Sequence, residues 1–224
     1  MDFSDSNMWR DLLLQAVLIL ATVFMFLFMY NIPQKFFSKL RLRNRADMQA
    51  KRHFVQGAQL LSQAKSSFAK DRSAAASLAK SAEAEADLAI ALDPKDAAAH
   101  ILKALALDLQ GFKTSALDSI DIALSPLAVK SLSEPEKADA LFKRAELRLA
   151  VSRRGQVDSV VEDLTESVRL KGDNVKAFCL LGDCYEKKGL KEDAQEVYEK
   201  ALKVQPNFAP AREALDRLNP SLEL

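Results

Sequence analysis

The sequence predicts an all-α chain: an N-terminal transmembrane helix, then an α-solenoid of about four helix pairs closed by a short capping helix. Three observations carry this. Of 224 residues only 6 are Gly and 7 are Pro, while Ala, Leu, Lys, Glu and Asp dominate, a balance that favours helices over strands and turns. Leu12–Tyr30 runs for nineteen residues without a charge. From residue 51 onward, apolar and small residues return at helical spacing, as paired helices require.

Residues 1–11 form a short polar tail. The stretch LLLQAVLILATVFMFLFMY, Leu12–Tyr30, would rise about 28 Å as a helix, close to the hydrocarbon thickness of a bilayer. Gln15 and Thr22 are its only clearly polar residues, and Trp9 and Tyr30 stand at its ends, where amphipathic rings favour the interface. Pro33 marks the expected stop. A cleaved signal peptide would need a basic start and a small-x-small site. Here Asp2, Asp5 and Asp11 outnumber Arg10, and MYNIPQKFF offers no such site. A buried helix would carry a polar stripe.

Residues 31–50 form a basic linker. Between Asn31 and Arg52 seven basic residues face one acid, Asp47, an excess that is retained on the cytoplasmic side. Everything after Asn31 is therefore expected in the cytosol, with the endoplasmic reticulum favoured and an organelle outer membrane as the alternative. From His53 onward there are 24 basic and 27 acidic residues. The basic signal belongs to the border of the span, and nothing in it points to nucleic acid. Cys179 and Cys184, five residues apart on one helix, point roughly 140° from each other and form no local disulfide.

The clearest unit of the remainder is Val175–Phe208, VKAFCLLGDCYEKKGLKEDAQEVYEKALKVQPNF. Gly182 and Ala194 are small where two antiparallel helices approach, and Phe178, Tyr185 and Tyr198 supply bulk around them. Gly189 permits a tight turn and Pro206 closes the second helix. In this register the segment resembles the tetratricopeptide repeat (TPR), a 34-residue helix–turn–helix. A second unit, 97–130, keeps the register with Ala104, Leu107, Gly111, Ala116, Ile120 and Ala123, and with His100 packed at the bulky position. A third, 138–174, contains Ala145, Val160, Leu164 and Ser167 and needs about three extra residues near Arg153–Gly155. The first, 51–95, has Gly57, Ala82, Ala86, Ala89 and Pro94. Its connection is about thirteen residues too long, and the Ala-rich Ser73–Leu92 is expected to extend its second helix. Residues 125–136 read as the most loop-like part. Residues 210–218 read as an amphipathic cap, which leaves 219–224 as a tail.

No phosphate loop, HExxH, GxSxG or paired-cysteine metal motif occurs, so the sequence points to no enzyme and to no cofactor or metal. The resemblance implies instead a scaffold that binds a partner protein in a concave groove lined by the first helix of each unit. The residues it places there are Phe54, Ile101, Leu102, Leu105, Phe142, Lys143, Arg144 and Cys179, with Cys179 the more accessible thiol. TPR co-chaperones hold acidic chaperone tails with a Lys, Asn and Arg clamp. Only Arg144 matches that set; Ala58 and Leu102 stand at its Asn places, and Phe54 and Ala140 at its Lys places, so a clamp is not expected. Ile101, Leu102 and Leu105, flanked by Phe54 and Phe142, form an apolar strip suited to an amphipathic helix or a hydrophobic peptide. Either a partner uses this strip, or the first-unit connection or a second copy in a homo-oligomer covers it. The expected protein is thus a membrane-anchored adaptor, with a precursor or chaperone receptor on an outer membrane as the alternative.

Overall fold

The computed structural model describes the backbone of residues 3–29, 32–151 and 157–218, and their side chains except those of 3–8, 11, 27–29 and 32–45. Tyr30, the excess near Arg153–Gly155 and the tail 219–224 lie outside the described residues. Among the described residues the chain is all-helical: α1 (Phe3–Met29), α2 (Ile32–Ser67), α3 (Arg72–Leu92), α4 (Ala97–Gln110), α5 (Lys113–Ala123), α6 (Glu134–Val151), α7 (Val157–Leu170), α8 (Val175–Lys188), α9 (Lys191–Val204) and α10 (Ala209–Leu218), with one 3-10 turn at Val129–Ser131. It divides into two compact units, Met1–Met48 and Gln49–Leu224.

In the first unit α1 is a continuous helix whose described side chains, from Trp9 to Phe26, are exposed. Among the described residues no helix is long and apolar enough to cross a membrane, which corrects the expected span at Leu12–Tyr30. Among the described residues the basic residues after it then have no span to orient. The cytosolic topology, the endoplasmic reticulum and the outer membrane fall with it.

The second unit is a solenoid of helical hairpins, α2/α3, α4/α5, α6/α7 and α8/α9, with α10 packed on α9. Side-chain caps set where several helices begin. Asp71 accepts from the Ser73 and Ala74 amides at 2.8 and 3.0 Å, Asp96 from Ala98 at 3.0 Å, and Asn174 from Ala177 at 3.2 Å. Glu136 returns to the Ser133 amide at 2.8 Å before α6, satisfying a donor that the helix leaves free. Gly111 and Gly189 end α4 and α8 at φ +92° and +77°. There Phe112 and Leu190 donate back to the Leu107 and Tyr185 carbonyls at 2.9 and 3.0 Å, a closure that asks for a left-handed residue.

Small residues decide how closely the helices meet. In α3, Ala75, Ala79, Ala82, Ala86 and Ala89 recur at four- and three-residue steps and are at most 1% exposed. This stripe packs against α4 and, through Ala82 and Ala86, against Leu61 of α2. The excess of the first repeat is therefore helix. Only residues 68–71 separate α2 from α3. The expected extension of the second helix is present, and α2 is long as well. A Cβ on Gly57 would lie 2.9 Å from Leu102 Cδ2 and 3.2 Å from the Ala82 carbonyl; one on Gly182 would lie 2.5 Å from Tyr198 Cε1. Both glycines sit where an inner helix touches its neighbours. Around these contacts run apolar clusters built on Leu61 and Leu102, on Leu107, Ile120 and Leu147, and on Leu164, Phe178 and Tyr198.

Candidate functional site

The first helices of the four hairpins, α2, α4, α6 and α8, line two adjoining cavities in the second unit. The smaller, about 340 Å³, lies between α2 and α4, with Phe54, Ala58, Leu61, Ile101, Leu102 and Leu105 on its wall. The larger, about 710 Å³, continues over α6 to the start of α8 and to Phe208 beyond α9. Ile101, Leu105 and Glu136 line both, so the two form one groove. Its walls are mainly apolar at the α2 end and mix Phe142, Val175 and Phe208 with charges at the other.

Six of the eight sequence-predicted residues come together here: Phe54, Ile101, Leu102 and Leu105 in the smaller cavity, Phe142 and Lys143 in the larger. Leu102 is only 4% exposed and belongs to the apolar cluster joining α2, α3 and α4. It forms the back of the cavity more than a surface, because Gly57 lets α2 close over it.

Arg144 and Cys179 line neither cavity. The Arg144 guanidinium makes two bonds to the Asp163 carboxylate, from Nε to Oδ2 at 2.9 Å and from Nη2 to Oδ1 at 2.5 Å. Its Nη1 donates to Asp121 at 3.2 Å. Arg148 shares the same acids, with Nη1 2.8 Å from Asp163. These charges tie α5, α6 and α7 together, and the buried Asp163 uses both arginines. Arg144 is thus held by acids of two other helices. Cys179 is 9% exposed and Cys184 fully buried, so Cys179 is the more accessible of two buried thiols. Burial, with help from Asp183, pushes the Cys179 thiol up to about 11.

Sequence reasoning did not assign Glu136 or Phe208 to the groove. Glu136 reads as the end of the loop-like segment 125–136, and Phe208 as the end of a repeat. Their arrival depends on how successive hairpins stack, which no local pattern encodes.

The charges in the groove are mostly matched internally. Lys143 Nζ lies 2.7 Å from Asp108 and 3.0 Å from Glu146, and Lys171 lies 3.0 Å from Asp139. Burial alone would pull the Lys143 ammonium down, but its bonds to Asp108 and Glu146 outweigh this and hold it above its ordinary value. Burial would likewise raise Asp108, and Lys113 and Lys143 together bring it below the usual carboxylate range. His100 is 7% exposed, and its Nε2 lies 3.1 Å from the Pro94 carbonyl, so it is a packed residue. Among the described residues no group of three His, Cys, Asp or Glu is placed to hold a metal ion. The arrangement offers shape and apolar surface to a ligand.

Residues 175–208 match the sequence model of the tetratricopeptide repeat. The fold is similar to that of the MamA protein, with a TM-score of 0.60 at 14% identity, over 77% of this chain and 81% of that one. It is also similar to pilF of Pseudomonas aeruginosa, with 0.59 at 18% identity over 78% and 69%. Against MamA 41-end from Desulfovibrio magneticus RS-1 the values are 0.54 and 15% over 74% and 84%. Identities this low speak for the fold alone. No curated protein matches the sequence. In such a fold each hairpin contacts only its neighbours, and the stack leaves an extended concave face.

Proposed function

We propose that this chain, with its tetratricopeptide repeat inside an all-α solenoid, is an adaptor that holds the apolar face of a partner protein's amphipathic helix in the groove of Gln49–Leu224. The observation that carries this is the strip of half-buried Phe54, Ile101, Leu105 and Phe142 running through both cavities. Apolar side chains left unfinished along a concavity gain by covering. Anchors spaced by three or four residues on a helix would enter such a strip. Residues 68–71, the whole connection of the first hairpin, line neither cavity, so that segment does not close it.

The test uses a synthetic amphipathic helix with leucines spaced by three and four, and a photoreactive benzophenone side chain in the protein. Placed at Lys65 or Lys176, on the rims of the two cavities, it should cross-link the peptide. Placed at Lys203, on the exposed side of α9 and outside both linings, it should not. In parallel, Leu105→Ala with Phe142→Ala should weaken binding at least about tenfold, as loss of buried anchors does. Unchanged affinity in the folded double variant, or equal cross-linking from all three sites, would reject the groove.

A further inference from the structure

Lys143 is the one cation on α6 within the groove lining, and it is already taken. Its side chain is 20% exposed and that of Asp108, 2.7 Å away on the neighbouring inner helix α4, is 15% exposed. Glu146, one turn along α6, takes a second N–H at 3.0 Å. Asp108 also receives Lys113. Both partners are held in their charged forms, Lys143 above and Asp108 below the ordinary value. Toward the rim, Lys65 and Lys176 are offset by Glu136 and Asp173, so the mouth exerts no net pull of either sign.

We propose that Asp108, assisted by Glu146, sets the charge specificity of the groove by occupying Lys143, so that the site takes a helix with an uncharged apolar face and turns away an acidic one. This rests on the groove being the partner site. An incoming carboxylate would meet Lys143 already bonded to Asp108 and Glu146, and would have to crowd against those two anions or displace Asp108 onto Lys113 alone. That penalty falls on acidic ligands and leaves uncharged ones alone, which is how selectivity arises from repulsion. The pair is preformed, so an uncharged ligand meets it without rearrangement. It also bridges the inner helices of two successive hairpins, which fixes Lys143 where a flexible amine would otherwise search for an anion.

The experiment compares two fluorescein-labelled peptides of equal length with the same apolar face, one with Gln and Ser on its polar positions and one with Glu at half of them. Affinities are measured by anisotropy on the full chain. The wild type should bind the acidic peptide at least about tenfold more weakly than the neutral one. Asp108→Asn with Glu146→Gln should strengthen acidic-peptide binding by about tenfold, as close charge pairs across an interface do. Added Lys143→Met, or high salt, should erase the gain. Glu146→Gln alone spares the bridge between α4 and α6, and should show a smaller gain in the same direction if the double variant loses its helical circular dichroism. If neither folded variant gains affinity for the acidic peptide, or if the gain survives Lys143→Met, the proposal is overturned. Failure of the neutral peptide to bind the wild type is a different result, and it rejects the groove itself.

Discussion

Gly182→Ala adds a single methyl group to the last hairpin, and the structure says where that methyl goes. It would stand 2.5 Å from Cε1, 2.6 Å from Cζ and 2.9 Å from Cδ1 of Tyr198, far inside van der Waals contact. The ring cannot simply swing away. Tyr198 is fully buried, and its hydroxyl lies 2.7 Å from both Asp183 and Glu186. Glu186 in turn holds Arg217 of α10 at 2.9 Å. Moving the ring therefore strains the α8–α9 contact and loosens the cap. Overpacking costs about 1–3 kcal/mol, and weakening a hydrogen bond to a charged group adds about 1.5 kcal/mol. Against this, Ala gains about 1 kcal/mol over Gly in a helix interior. The net expectation is about 2 kcal/mol of destabilisation. Hydrogen exchange is the assay, because a solenoid opens locally before it unfolds globally. Protection should fall about thirtyfold in α8, α9 and α10, and less in α2 and α3. Tyr198→Leu supplies the decisive control. In that background the added methyl finds no ring, and Gly182→Ala should become neutral or stabilising. Equal losses in both backgrounds would show that Tyr198 is not what forbids a side chain at position 182.

Two further outcomes follow from charge and burial. The Glu166 carboxylate takes both Arg169 Nε and Nη2, at 2.6 and 2.9 Å, and Lys137 at 3.2 Å. With the Arg169 hydrogen bond as main cause, it is held well below its ordinary 4.5, at about 2. A depressed carboxyl stabilises the fold above its unfolded value and loses that contribution as pH falls through its folded one. Glu166→Gln should therefore flatten the urea-midpoint curve between about pH 4.5 and 2, more at low salt than at high. An acid limb unchanged by the substitution would contradict the pairing. Cys179, pushed up to about 11 by burial, and Cys184 should both resist iodoacetamide at pH 8 until the last hairpin opens. Rapid labelling of either in the native chain would show that α8 lies differently from its place here.

The last hairpin was legible because its residues carry their own geometry. Gly182, Gly189, Ala194 and Tyr198 each mark a contact or a turn inside one 34-residue segment, and the structure places each where that register requires. The first hairpin was less so, because a repeat of fixed length assigns surplus residues to the connection. The chain puts them into two long helices instead. The signal was present in the steps between Ala75, Ala79, Ala82, Ala86 and Ala89, which prolong a buried stripe well past one repeat. The apolar run at Leu12 teaches the opposite lesson. Composition marks a helix there, and α1 is one, but no described helix meets the requirement for crossing a bilayer.

The groove was legible where position along an inner helix decides exposure, and it failed where a neighbouring helix does. Phe54, Ile101, Leu105 and Phe142 stay half-buried and line the groove between the inner helices. Leu102 lies on the same face, yet the approach allowed by Gly57 seals it. Arg144 follows the one remaining element of a clamp in sequence, but Asp121 and Asp163, 23 and 19 residues away, capture it first. Lys143, its neighbour, points into the groove and meets the same fate through Asp108. Two adjacent cations are thus both neutralised by acids from other helices, one between hairpins and one at the groove wall. The groove lining in this solenoid is defined less by which residues a repeat places there than by which of them the next hairpin leaves unsatisfied. Here those are apolar.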